Sequence, residues 1–410
     1  MRIGIFHNLM SGGAKRVVVE QLRGLAGRHS VTLLNPSSAD RVFAEVGDLH
    51  ARRVYPFEPL PRAGSPFGRL NPLLRLADVQ RMGRLSAVVA RDAATLGFDV
   101  VLVHPCQMTQ APLVLRHLTV PSVYYCHEWP RRVYEPSPPR PARARDRLRQ
   151  RFDRFDPAIR LERTLLKHLD RVAARAATLI TCNSQQTCED VAAAYNRKAS
   201  LCHPGVSYDP DSPGVWPRER YVLTVGALAP HKGFDFVIGA LSTIRPDRRP
   251  PLVIISNYQE PGEREYLSTL AERCSVNVRF ECNVAEPELR RRYAAAACLA
   301  YAPLREPFGL VVLEAMAAGT PVVAVNEGGI RETVTPDVTG LACPREMNVF
   351  GAAVARVLED DALARRLGDE ARRSVLRERT WGQHVSHLEA LLEEAANGGN
   401  ASSPRVAEAR

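Results

Sequence analysis

The chain has no apolar run approaching the roughly 18 to 20 residues that a membrane-spanning helix needs. Its N-terminus, MRIGIFHNLMSGGAK, also lacks the long apolar core of a signal peptide. Both absences lead to the expectation of a cytoplasmic protein. Nine cysteines, an odd number without C-x-x-C pairing, fit a reducing compartment better than a disulfide framework. Cys182, Cys188 and Cys202 lie near His203 in sequence, and a metal site can be drawn there. Zinc spacing is absent, so small buried or surface thiols are the plainer reading. There is no recognisable nucleic-acid-binding module and no repeated interleaving of basic and aromatic residues, so nucleic acid is not an expected partner.

What is present suits two ordinary domains. The 410 residues are 45% hydrophobic and 24% charged, which is enough for two separate cores. The formal net charge of +10 is concentrated: Arg131 to Arg175 holds 14 Lys and Arg against 6 Asp and Glu. Such a surface attracts phosphates or an anionic membrane face. A solvated, arginine-rich excursion is the alternative.

Apolar runs and their punctuation predict alternating strands and helices. Arg2 to His7 is a strand, Leu9 to Gly13 a turn, and Ala14 to Leu25 a helix with Val17, Val18, Leu22 and Leu25 on one face. Further strands are predicted at Val31 to Asn35, Asp99 to His104, Pro121 to Cys126 and Thr178 to Asn183. Ser184 is placed to cap the following helix. Arg52 to Leu76 reads as irregular, with a helix near Val79 to Leu96, and Ala142 to Ala176 as a long arginine-rich helix or two. Tyr208 to Pro217 is the linker candidate. Beyond it, strands are predicted at Tyr221 to Val225, Leu252 to Ser256 and Val276 to Val284, and helices at Phe350 to Leu367 and Asp369 to Glu378. Trp381 to Ala396 is amphipathic, and Asn397 to Arg410 has the composition of a disordered tail.

The most informative stretch is Tyr301 to Glu332, YAPLREPFGLVVLEAMAAGTPVVAVNEGGIRE. It reads as strand end, turn, a short helix from about Gly309 to Ala318 stopped by Gly319, a buried strand at Val322 to Val325, and a Gly-Gly turn. Glu306 precedes the helix and Glu314 follows two turns later, so both can face one cleft. Between them the N–H groups of Phe308, Gly309, Leu310 and Val311 lie at a helix N-terminus, which suits a phosphate, whereas carboxylates suit sugar hydroxyls. Solvated helix-entry acids are the alternative on spacing alone.

E-P-F-G-L-V-V-L-E, followed by A-M-A-A-G-T-P-V-V-A and E-G-G-I-R-E, resembles the signature of family 4 glycosyltransferases. The resemblance implies the GT-B fold, with two Rossmann-like doubly wound domains facing a central cleft and a C-terminal helix crossing back to the first. It places the N-terminal, acceptor-binding domain at 1–207, the linker at 208–217, the nucleotide-sugar-binding domain at 218–379, the crossover helix at 380–396 and a tail at 397–410. It also implies a retaining enzyme that moves a hexose-type sugar from a UDP- or GDP-linked donor to an acceptor hydroxyl. No metal or other cofactor is expected, since no acidic pair for a metal is evident and members of this family use a lysine and a helix dipole.

By the same resemblance, Lys232 and the amides after Phe308 hold the diphosphate, Glu306 binds sugar hydroxyls, Glu314 the ribose, and His127 orients the sugar. Gly13 lies against the donor diphosphate, and Gly12, Gly13, His127, Glu128 and Arg131 face the acceptor, a small molecule or a lipid-linked one. The sequence departs from the pattern at Ala227, where many members carry an arginine that shares the phosphate; Arg305 or the helix terminus is left to replace it. Two other readings stay open: a sugar-nucleotide epimerase of the same fold, and a non-catalytic scaffold that binds an anionic partner.

Overall fold

Runs such as Val100 to Val103, with no polar residue among them, are the composition of strands buried on both faces, which only helix-covered parallel sheets provide. A computed structural model, which describes residues 1–40, 51–64, 67–135, 138, 140, 156–208 and 218–399, contains two such sheets. The first contains β1 (Arg2–Asn8), β2 (Ser30–Pro36), β3 (Ala51–Tyr55), β4 (Val100–Cys106), β5 (Ser122–Cys126), β6 (Leu179–Cys182) and β7 (Ser200–Leu201). Their order is β3-β2-β1-β4-β5-β6-β7, with every pairing parallel. The second contains β8 (Glu219–Val225), β9 (Leu252–Ser256), β10 (Val278–Cys282), β11 (Ala296–Tyr301), β12 (Val322–Val325) and β13 (Leu341–Cys343), in the order β10-β9-β8-β11-β12-β13, again parallel.

In each sheet the order reverses once, between β1 and β4 and between β8 and β11. At such a reversal the flanking loops diverge at the carboxyl ends of the strands and leave a crevice. The loops after β1, β5, β8 and β11 carry Gly12 and Gly13, His127, Lys232 and Glu306 respectively. Topology alone therefore brings the candidate residues to the sheet ends.

The C-terminal helix Trp381–Gly399 belongs to the first sheet's core. Val385, Leu388, Leu391, Leu392 and Ala395 are buried in one cluster with Ile3, Ile5, Val17 and Leu22. Gly24 makes the approach possible, since a Cβ there would lie 2.4 Å from Val385 Cγ2. This is the crossing helix that the family resemblance implies. It runs on through Asn397, Gly398 and Gly399, so the first residues of the expected tail are helical.

Other boundaries also differ from the sequence reading. The stretch from Arg52 to Leu76 holds β3, and the helix starts at Asn71 instead of Val79, because Pro72 sits in its first turn, where a missing N–H does no harm. The break between the late helices falls at Asp360, whose side chain accepts from Leu363 N, and not at Gly368. Gly368 lies inside Asp361–Glu378, where the lack of a side chain admits the Gly319 carbonyl. The linker from residue 209, the tail from residue 400 and the arginines from Arg143 to Arg154 fall outside the described residues, whereas Pro157–Ala176 is one helix. Among the described residues, no helix is long and apolar enough to cross a membrane.

Leu388 has no solvent exposure although it lies far along the chain from the strands it covers. Leu388→Ala is expected to lower stability by about 2 to 5 kcal/mol, read by urea denaturation with a probe in the N-terminal half. A loss below about 1 kcal/mol would show that the helix is an appendage to the core.

Candidate active site

The geometry around Glu306 starts from its backbone. The Gly328-Gly329 turn clasps the loop: Gly329 N donates to Glu306 O at 2.8 Å, and a Cβ on Gly328, which has φ +58°, would lie 2.4 Å from the same oxygen. Only glycine fits there. With the loop so held, Glu306 accepts from Lys232 Nζ at 3.0 Å. Burial pushes the Glu306 carboxyl up, but Lys232 and Arg131 outweigh it and leave a net lowering. Glu306 is ionised at neutral pH.

Three residues on, Gly309 adopts φ +92° and starts the helix Leu310–Ala317 with no side-chain cap. Among the described residues no acceptor meets the N–H groups of Phe308, Gly309, Leu310 and Val311. A bare N-terminus beside a lysine is chemically an anion receptor. The glycine loop after β1 comes to the same place from the other half, since a Cβ on Gly13 would lie 3.2 Å from Leu310 Cδ1.

Glu314 is held differently from its partner. Tyr293 OH donates to its Oε2 at 2.8 Å, and Arg16 Nη1 reaches its Oε1 at 2.6 Å across the cleft. Arg16 Nη2 also donates to Glu286 Oε2 at 2.6 Å. Burial raises the Glu314 carboxyl against the opposing pull of Arg16. The sequence reading passed over Arg16, although a cation in the first turn after Gly12-Gly13 was visible; its partners Glu286 and Glu314 lie 270 and 298 positions away.

His127, at the end of β5, is buried, with Nε2 3.0 Å from Nδ1 of His104. Asn183 Nδ2 donates to the His127 carbonyl at 2.8 Å, and Tyr125 packs against the ring at 4.8 Å between centroids. Burial, reinforced by His384, holds its imidazole down to about 3, so His127 is neutral at pH 7. His231, next to Lys232, is held to about 4 by burial, Lys232 and Arg131. From the first half Glu128 accepts from Arg131 Nε at 3.0 Å, and Arg131 Nη1 donates to the Leu304 carbonyl at 2.9 Å. The structure thus gathers Gly13, Arg131, Lys232, Glu306 and the helix terminus at the cleft. Arg305 points elsewhere, to Glu135 at 2.8 Å and Asp190 at 3.0 Å.

His7, His127 and His384 are held to about 3, 3 and 4, from an ordinary value of 6.5, chiefly by burial. The unfolded chain takes up protons near pH 6.5 that the folded one refuses, so their contribution is complete above that pH and declines as pH falls. Each is expected to remove up to about 1.4 kcal/mol per pH unit. Urea unfolding at pH 7 and pH 5.5 checks this, with His127→Gln showing the shallower dependence; equal stability at both values would mean that these rings charge in the folded protein.

The chain matches Glycosyltransferase Family 4 over residues 11–209 and Glycosyl transferases group 1 over residues 210–374. It is 34% identical over 244 residues to a GDP-mannose-dependent alpha-(1-6)-phosphatidylinositol monomannoside mannosyltransferase of Mycobacterium tuberculosis, covering 52% of this chain and 61% of that protein. The chain spans about half the length of the curated relatives it matches. In fold it is similar to sucrose-phosphate synthase from Thermosynechococcus elongatus, with a TM-score of 0.74, 18% identity and coverage of 97% of this chain and 100% of that one. It also resembles Anabaena HepE in complex with UDP and glucose, with a TM-score of 0.65, 20% identity and coverage of 96% and 99%. Two sheets, their reversals, the crossing helix and two adjoining family matches agree: the chain belongs to glycosyltransferase family 4, the glycosyl transferases group 1, and has the GT-B fold.

Proposed function

We propose that this protein is a retaining glycosyltransferase that moves a hexose-type sugar from a UDP- or GDP-linked donor to an acceptor hydroxyl. The observation that carries the reading is the Lys232–Glu306 pair beside the uncapped helix terminus at Leu310, one receptor with a cation, a carboxylate and free amides. The relative whose name specifies GDP-mannose and the neighbour bound to UDP and glucose support a nucleotide-linked sugar as donor.

The chemistry follows from the groups in place. The bond from the anomeric carbon to the donor phosphate oxygen breaks, its electron pair leaving with the diphosphate. The acceptor oxygen bonds to that carbon on the same face and its proton passes to the departing phosphate. Lys232 and the amides of Leu310 and Val311 stabilise the leaving charge, where preorganised donors count most. Donor entry exchanges Lys232's contact with Glu306 for the phosphate and frees the carboxylate for sugar hydroxyls. Glu314 accepts from the ribose. His127, being neutral, serves as a hydrogen-bonding wall for the sugar and not as an acid. The acceptor, a small molecule or a lipid-linked one, lies against Gly12, Gly13 and Glu128.

The test is release of nucleoside diphosphate from a panel of UDP- and GDP-sugars by wild type and Glu306→Ala. Turnover of one donor, reduced about 100-fold or more in the variant, is the expected result. A variant as active as wild type would remove Glu306 from the reaction, and isomerised donor without acceptor would make the protein an epimerase.

A further inference from the structure

A departing nucleoside diphosphate carries about three negative charges, its terminal phosphate ionising near pH 6. Against it stand one lysine and a helix terminus equivalent to roughly half a charge. Lys232 is moreover shared with Glu306. Ala227, on the same loop, brings nothing. Arg305, the nearest alternative in sequence, is drawn off by Glu135 and Asp190, and its guanidinium lies 4.7 Å from the centre of the Trp129 ring. The C-terminal half is short of positive charge at the point where charge develops.

The missing cation stands in the other half. Arg131 opens the short helix Arg131–Tyr134, four residues after His127, and extends across the cleft. It donates to the carbonyls of Leu304 and Arg305, the two residues ahead of Glu306. Its charge lowers both Glu306 and His231, so it stands in the same electrostatic cluster as Lys232. Glu128 takes its Nε–H, Leu304 O and Glu135 its Nη1 donors, and Arg305 O one of the Nη2 donors. A guanidinium has five N–H groups, so one Nη2–H has no acceptor among the described residues. The side chain keeps 16% of its surface exposed, at the cleft.

We propose that Arg131 is the second cation on the diphosphate, supplied by the acceptor-side half in place of the one that Ala227 does not provide. The assignment rests on the transferase reading above and moves Arg131 from the acceptor to the donor. It makes stabilisation of the leaving group conditional on the cleft being closed, because the two cations lie on opposite walls. A donor bound to the open C-terminal half meets Lys232 and the helix terminus without the second cation.

The test compares nucleotides that differ by one phosphate. Isothermal titration of wild type, Arg131→Ala and Arg131→Lys with UDP and UMP, and with GDP and GMP, isolates the contact. Arg131→Ala is expected to weaken the diphosphate of the preferred base about tenfold or more while the monophosphate changes less than about twofold. Arg131→Lys restores part of the loss and carries the test alone if the alanine variant does not fold. Unchanged diphosphate binding overturns the assignment and returns Arg131 to the acceptor. Equal weakening of both nucleotides in a folded variant overturns it as well, since the residue then only pins the halves together. Wild type that binds neither diphosphate overturns the transferase reading itself, a result distinct from either of these.

Discussion

Opposite charges meeting across the cleft are the interaction on which the site depends. Arg16 spans from the first helix to Glu286 and Glu314, Arg305 returns to Glu135 and Asp190, and Arg140 reaches Asp235 at 2.6 Å and Glu263 at 2.7 Å. Glu332 accepts from the N–H groups of Gln185 and Gln186 and so completes the N-terminus of a helix in the other half. Arg379 donates to His203 Nδ1, which leaves the His203 Nε2–H to donate to Glu332. Each carboxylate or amide pole here gains a partner from the opposite half when the two sheets face each other. Exposed pairs contribute little singly, about 0 to 1 kcal/mol, but Arg16–Glu314 and Arg140–Glu263 are largely out of water and weakly screened by salt.

That arrangement explains why the cluster around Glu306 is polar yet ordered. Glu306 is buried enough to be pushed toward neutrality and remains ionised only because cations from both halves face it. His127 lies at the other extreme, surrounded by Tyr125, His104 and His384 and held neutral. Charged groups from both walls thus gather around Glu306, while the surroundings of His127 are aromatic and neutral. Such a division matches a ligand that is anionic at one end and hydroxyl-bearing at the other.

Much of this was legible in the sequence, for local reasons. Gly319 takes φ +68° as the helix stop, Ser184 caps its helix through Thr187 N, and the runs from Val100 and from Val322 are buried strands. The motif from Glu306 to Glu332 encodes its own turn, so its geometry could be read from spacing. What could not be read lies between distant residues. Arg16 needs Glu314, Arg131 needs the carbonyls of Leu304 and Arg305, and neither periodicity nor propensity pairs residues so far apart. β3 escaped because four of its five residues are exposed, so it carries no apolar signal and is defined by its partner β2. The helix from Asn71 was shortened because Pro72 reads as a breaker unless it falls in a first turn.

The crossing helix bears on how the protein is made. Chains emerge from the ribosome N-terminus first, and halves generally condense in that order. Here the strands β1 and β4 are flanked by Val385, Leu388 and Leu392, which are synthesised after the whole second sheet. The first half therefore waits, with an apolar groove uncovered, while the whole of the second, from Glu219 to the start of the helix at Trp381, is added. Its final consolidation comes after the second sheet, whose strands and helices are contiguous in the chain and free to settle while the first is still open.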